Sequence, residues 1–164
     1  MGQGQRVPEI DLMSIQDIEV AFPSIVGTSY SEESPVTDTY NCIAFAVGDC
    51  HNWWWPRKGY GIYWPPGFPL TDSVDVLIAI FKVHGYSECD NSEIEVGFEK
   101  VAIYSINHRI KHAARQLRSG RWVSKLGDQE DIEHEKVGYL KNLSYGSATH
   151  FLRRRRTDWE DITT

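Results

Sequence analysis

Long apolar runs are missing from this 164-residue chain. The longest falls far short of the roughly 20 residues a helix needs to cross a bilayer, so no membrane partner is expected. The opening segment, Met1-Gly2-Gln3-Gly4-Gln5-Arg6-Val7-Pro8, lacks the apolar core of a secretory leader. A cytoplasmic protein is the expectation, or one exported without a signal peptide as an effector. Cysteine is scarce as well. Cys42, Cys50 and Cys89 are odd in number and show no disulfide framework, which favours reduced thiols. With no C-x-x-C pair and with His51, His84, His108, His134 and His150 scattered, no metal is expected, and no organic cofactor. Positive charge is in deficit too: the net charge is −6 and the pI near 5.5. Such a surface repels phosphate backbones, so nucleic acid is not an expected partner. Arg153-Arg154-Arg155-Arg156 is a local exception, read as the start of a solvated polar tail over 153–164.

The length suits one domain with a sizeable core. Residues 1–37 mix Pro8, Pro23, Gly27 and Pro35 with polar residues and read as an N-terminal arm with one weak helix over 13–21. The core should span 38–152. Cys42-Ile43-Ala44-Phe45-Ala46-Val47 is apolar all round, as in a short buried helix, and Gly48 suits its end. Residues 53–69, dense in Trp, Tyr, Pro and Gly, predict a long aromatic loop that caps the core or walls a cleft, which Tyr60 or Trp64 would line. Val74, Leu77, Ile78 and Phe81 fall at i, i+3, i+4 and i+7, predicting a helix capped by Asp72 and stopped at Gly85. Beyond residue 100 the period shortens. Strands around Val101–Tyr104, His112–Leu117 and Trp122–Leu126, with turns at Asn107-His108 and Ser119-Gly120, make an antiparallel meander. Residues 128–143 read as polar with a short helix, and His150–Leu152 as a closing strand. Helices first and strands later make the fold class α+β.

The chemistry centres on Cys42. A thiol attacks a carbonyl as thiolate, and a helix N-terminus favours that anion. Its exposed N–H groups also suit an oxyanion, and a nearby histidine would carry the proton. His112, leading a strand, is the candidate base. A histidine in that role needs a partner to fix its ring, and a hairpin about Ser119-Gly120 returns Ser124 beside residue 112. Asp128, Glu130 and Asp131 offer carboxylates instead. Asn41 precedes the thiol. Arg115 and Lys125 flank the proposed site and would hold a substrate carboxylate or form ion pairs on the strand surface.

Asn41-Cys42-Ile43-Ala44-Phe45-Ala46, Lys111-His112-Ala113-Ala114-Arg115 and Gly120-Arg121-Trp122-Val123-Ser124-Lys125-Leu126-Gly127 together resemble the papain-like cysteine peptidase and amidase superfamily, especially its compact bacterial NlpC-type and CHAP-type branch. The chain is also similar to a bacterial family without established activity, through Trp54-Trp55-Pro56, Tyr63-Trp64-Pro65, Gly97-Phe98-Glu99-Lys100-Val101-Ala102 and Asp131-Ile132-Glu133-His134. The resemblance implies a cysteine-bearing helix packed on an antiparallel sheet, with Cys42, His112 and Ser124 as catalytic residues. It implies thiol-mediated cleavage of an amide in a peptide, isopeptide or cell-wall substrate. It departs from that branch at Asn41, where an acidic residue is usual, and at Ser124, where His, Asn, Gln or Asp is usual. Val36 and Thr37 leave no counterpart to papain's oxyanion glutamine. Two rivals follow: an exported effector that deamidates or transamidates glutamine, and a papain-like interaction module without catalysis.

Overall fold

A computed structural model describes residues 15–32, 39–126, 131–142 and 144–156. In chain order these form α1 (Ile15–Ala21), a 3-10 turn (Pro23–Ile25), β1 (Tyr30–Glu32), α2 (Cys42–Val47), β2 (Trp53–Trp54), β3 (Ile62–Tyr63) and α3 (Val74–Val83). There follow β4 (Ser87–Cys89), β5 (Phe98–Ile106), β6 (Arg109–Gln116), β7 (Trp122–Lys125), β8 (Asp131–His134), a second 3-10 turn (Val137–Leu140) and β9 (Ser147–Arg155). Seven strands make one sheet in the order β1-β8-β7-β6-β5-β9-β4, every neighbouring pair antiparallel. The result is a mixed α and β fold built on an antiparallel sheet with few helices. None of those helices is long and apolar enough to cross a membrane.

The sheet is covered on both faces. One core packs α2 and α3 against Val101, Ile103, Ala113 and Leu152. The other gathers Ile18, Phe22 and Leu140 against Ala102, Tyr104, Ala114, Trp122 and Ile132. Alternation along β5 therefore sends Val101 and Ile103 one way and Ala102 and Tyr104 the other, and all four are fully buried. A strand buried on both sides reads as a continuous apolar run, as β5 does.

Turn chemistry joins these strands. Between β5 and β6, Asn107 and His108 both adopt positive φ (51° and 64°), which two-residue hairpin loops need to match the twist of the strands. Asp72 does not cap α3. Ser73 does, its hydroxyl accepting from the Asp75 N–H at 3.2 Å, while Asp72 pairs with Arg109 at 2.7 Å. The aromatic loop is mostly irregular, but Trp53–Trp54 and Ile62–Tyr63 make a short parallel pair.

Two further expectations need correction. The described part of the segment 128–143 adds an unexpected strand, β8, and its short helix is the 3-10 turn Val137–Leu140. Strands β1 and β4, short and polar, carried no readable alternation. The other correction is the arginine run: β9 extends through Arg155, so the polar tail does not begin at 153. Arg153 pairs with Glu95 and lies over the Phe98 ring at 4.7 Å. Arg154 binds the fully buried Glu99 at 2.6 Å, donates to the His84 carbonyl at 2.9 Å and covers Tyr86. Arg156 donates to the Phe98 carbonyl. The aliphatic stems cover aromatic surface while the guanidinium heads find acceptors. Removing Arg154 would take from the buried Glu99 carboxylate a cation 2.6 Å away, and breaking a buried pair by removing one member is costly. Arg154→Ala is expected to lower stability by about 3–5 kcal/mol, and Glu99→Leu/Arg154→Met to recover most of it, as urea titrations would show.

Candidate functional site

Cys42 opens α2 as expected, and Asn41 explains why the helix starts there. The Asn41 Oδ1 accepts from the Ala44 N–H at 3.2 Å, capping the first turn, and from the Trp54 N–H at 3.1 Å. Its Nδ2 donates to the Trp54 carbonyl at 2.7 Å. One amide thus caps the helix and pairs with both main-chain groups of a β2 residue. An aspartate could cap but could not donate, which gives the departure at position 41 a structural reason. The Trp54 indole donates to Asp49 at 2.8 Å. Burial alone would raise the Asp49 pKa, but hydrogen bonds from Asn52, His51 and Trp54 outweigh it and hold the carboxyl below its usual range.

Cys42 is only 1% exposed and belongs to the core shared by α2, α3 and the sheet. At the other end of α2, Arg115 donates to the Phe45 carbonyl at 3.0 Å. Lys125 is buried beneath the Tyr40 ring, its Nζ 5.7 Å from the centroid. Arg115 and Lys125 therefore lie under α2, on the face of the sheet that carries Cys42. Burial pushes the Arg115 pKa down to about 10, against the opposing influence of Tyr86 and Glu99. A cation donating to the last-turn carbonyls complements the helix dipole.

His112 is not on that face. It pairs with Tyr104 across β5–β6, and cross-strand partners share a face. Its ring stacks on Tyr145 with centroids 4.3 Å apart and meets Tyr104 edge-on at 4.9 Å, both members of the opposite core. The cause is a β-bulge: Tyr104 pairs with His112 but Ser105 pairs with Ile110, leaving Lys111 as an extra residue on β6. Ile110 faces α3 and the Cys42 core. Strict alternation from Ile110 would have put His112 there too, and the bulge reverses it. The backbone of the sheet separates thiol from imidazole, and the expected Cys42–His112 pair is not formed.

Ser124 shares the His112 face, but it is not the partner of that ring. Its Oγ lies 2.9 Å from His134 Nε2, and His134 Nδ1 lies 3.0 Å from the Lys136 carbonyl. A carbonyl only accepts, so Nδ1 carries the proton and the Ser124 hydroxyl donates to Nε2. His112 is fully buried, and among the described residues neither ring nitrogen has a hydrogen-bond partner. Burial, then the neighbouring His134, hold its pKa well below 6.5. Burial also takes His134 down to about 4. Of the remaining candidates, Trp64 donates to the Pro69 carbonyl and is core. Asp131 belongs to β8 through its backbone, opposite Lys125, and its side chain, like Asp128 and Glu130, lies outside the described residues. Among the described residues, no three His, Cys, Asp or Glu side chains converge to hold a metal ion.

Sequence reasoning missed the Ser124–His134 pair and Tyr145. A signal for the former was present: β7 and β8 pair with Ser124 opposite Ile132, so a strand assigned at 131–134 would have brought His134 diagonally to Ser124.

Two outcomes follow. Asn41→Ala removes a cap and leaves both main-chain groups of Trp54 short of a partner, a loss of about 3 kcal/mol in a urea titration. The second concerns acid. Above pH 6.5 His112 and His134 are neutral folded or unfolded. Below it the unfolded chain takes up protons that the native state refuses, so stability falls as the pH drops toward about 4, at about 1.4 kcal/mol per pH unit per histidine. His112→Leu should remove one histidine's share of that slope, seen as a smaller difference in urea midpoint between pH 7.5 and 5.

Comparison of the sequence with curated proteins and with solved structures finds no match to either. A family model does match over residues 31–153, from β1 through most of β9, taking in the Asn41 clamp, the bulged β6 and the Ser124–His134 pair. The chain belongs to the family described as Domain of unknown function (DUF7689).

Proposed function

We propose that this protein is a non-catalytic interaction module on a papain-like scaffold. The observation that carries this reading is the parity of β6. A thiol hydrolase needs the imidazole within hydrogen-bond reach of the sulfur, whereas His112 leaves the sheet on the side away from α2. Amide cleavage and glutamine deamidation demand the same pair, so both enzymatic readings meet the same obstacle. A one-residue slip of β6 would carry His112 to the α2 side. It would also drag Arg115 off the Phe45 carbonyl and turn Ala113 and Ala114 to the wrong cores. Cys42, at 1% exposure, then serves packing, as buried cysteines commonly do. Contact with a protein partner falls to the aromatic loop, where Tyr60 is 97% exposed and Tyr63 is partly exposed beside Trp54; exposed tyrosines are frequent anchors in such contacts.

Iodoacetamide labelling at pH 6 followed by peptide mapping tests the reading. Cys42 should label more slowly than Cys50 and Cys89, both partly exposed, and Cys42→Ala should lower stability by about 1–2 kcal/mol through lost packing. Selective labelling of Cys42 at that pH, slowed by His112→Ala, would restore the hydrolase.

A further inference from the structure

On the face of the sheet away from Cys42, a groove of about 890 Å³ opens between the end of α1 and the far ends of β5 and β9. That volume is within the range of small-molecule sites. Its walls differ in chemistry. Val20, Ala21 and Ile106 are apolar, Ser24 and Ser147 bring hydroxyls, and Lys141 stands at the rim. Val20 is 81% exposed, an aliphatic side chain left to water beside a concave surface. Lys141 makes no ion pair among the described residues, and no carboxylate is among the described lining residues. In a chain of net charge −6, Lys141 is the one charged side chain among the described lining residues of an apolar hollow.

The groove is also rigidly built. Asn142 donates to the Ala21 carbonyl at 2.8 Å and accepts from the Ser144 and Tyr145 N–H groups, tying the α1 side to the turn that forms the opposite wall. Within that turn Gly146 has φ +70°, and a side chain there would meet the Ser105 carbonyl at 2.2 Å. The turn can therefore approach β5 only with glycine at this position. A hollow held open in this way needs little rearrangement to take a ligand.

We propose that this groove binds a small amphipathic carboxylate, with the apolar stem against Val20, Ala21 and Ile106 and the carboxylate toward Lys141 and the serine hydroxyls. The inference goes beyond the proposed function and is independent of it, because the groove and the thiol lie on opposite sides of the sheet. The bound state has a built-in reporter. Tyr145, between groove-lining Ser144 and Gly146, stacks on His112, so occupancy should reach the His112 ring.

The test is an NMR titration of the full chain with octanoate, and with octan-1-ol as the uncharged control. Expected are saturable shifts at Ser147, Gly146 and the His112 ring, affinity for octanoate about tenfold higher than for octanol, and loss of that advantage in Lys141→Glu. Val20→Asp, a surface change, should weaken both. Three outcomes would each overturn the proposal: no shifts up to about 10 mM octanoate, equal affinity for both probes in wild type and Lys141→Glu, or shifts centred on Tyr60 and Val83 instead. None depends on whether Cys42 reacts, so hydrolase activity would leave this result interpretable.

Discussion

A sheet packed on both faces leaves no side of a strand indifferent, and the alternation of β5 and β6 governs nearly everything else in this protein. Each residue on these strands belongs to one core or the other. The bulge at Lys111 is the point where the assignment reverses along β6, so that Ile110 serves the helical core while His112 and Ala114 serve the opposite one. A matching irregularity occurs on the other side of β5, where Ile103 pairs with His150 but Tyr104 with Ala148. Thr149, the extra residue there, bonds to Ser105 at 2.6 Å. Both neighbours of β5 thus change phase within one residue of each other.

Electrostatics is arranged around α2 in a way that the acidic overall composition hides. Arg115 and Arg154 both approach Gly48, the αL residue that ends the helix, where the helix dipole is negative. Glu99 joins them from β5, fully buried and bonded to Arg154. An ion pair so enclosed adds less to stability than its geometry suggests, because desolvation offsets most of the attraction. Its clearer effect is selective. The register that seats Arg154 opposite Glu99 sets a cation against the buried acid, which favours this pairing of β9 with β5.

Much of the fold was readable from the residues. The periodicity of Val74, Leu77, Ile78 and Phe81 identified α3, the apolar run from Cys42 identified α2, and the turns at Asn107-His108 and Ser119-Gly120 marked the meander. These signals are local, carried by residues that contact their own neighbours in sequence. The candidate site depended on something else. Cys42 and His112 were assigned to one cleft on chain order and family resemblance, neither of which reports which face of a strand a residue takes, and a single extra residue in a strand leaves no compositional trace that a lone sequence can reveal. The arginine run was misread for a related reason. Four consecutive cations look solvated until Glu95, Glu99 and Phe98, more than fifty positions earlier, are placed beside them.

The Asn41 clamp gives the molecule a chemical clock. Asparagine loses its side-chain nitrogen by attack of the following main-chain amide, which here belongs to Cys42. While the chain is folded, that amide sits in the first turn of α2 and the Asn41 side chain is held at both ends, an arrangement that resists the bending the attack requires. The protection lapses whenever the helix opens. A chain converted to aspartate while open would return with an acceptor where Trp54 needs a donor, and would close less firmly each time. Ageing of this protein would then be set by the time it spends unfolded rather than by its total lifetime, a one-way loss of the kind that makes stability a matter of rate.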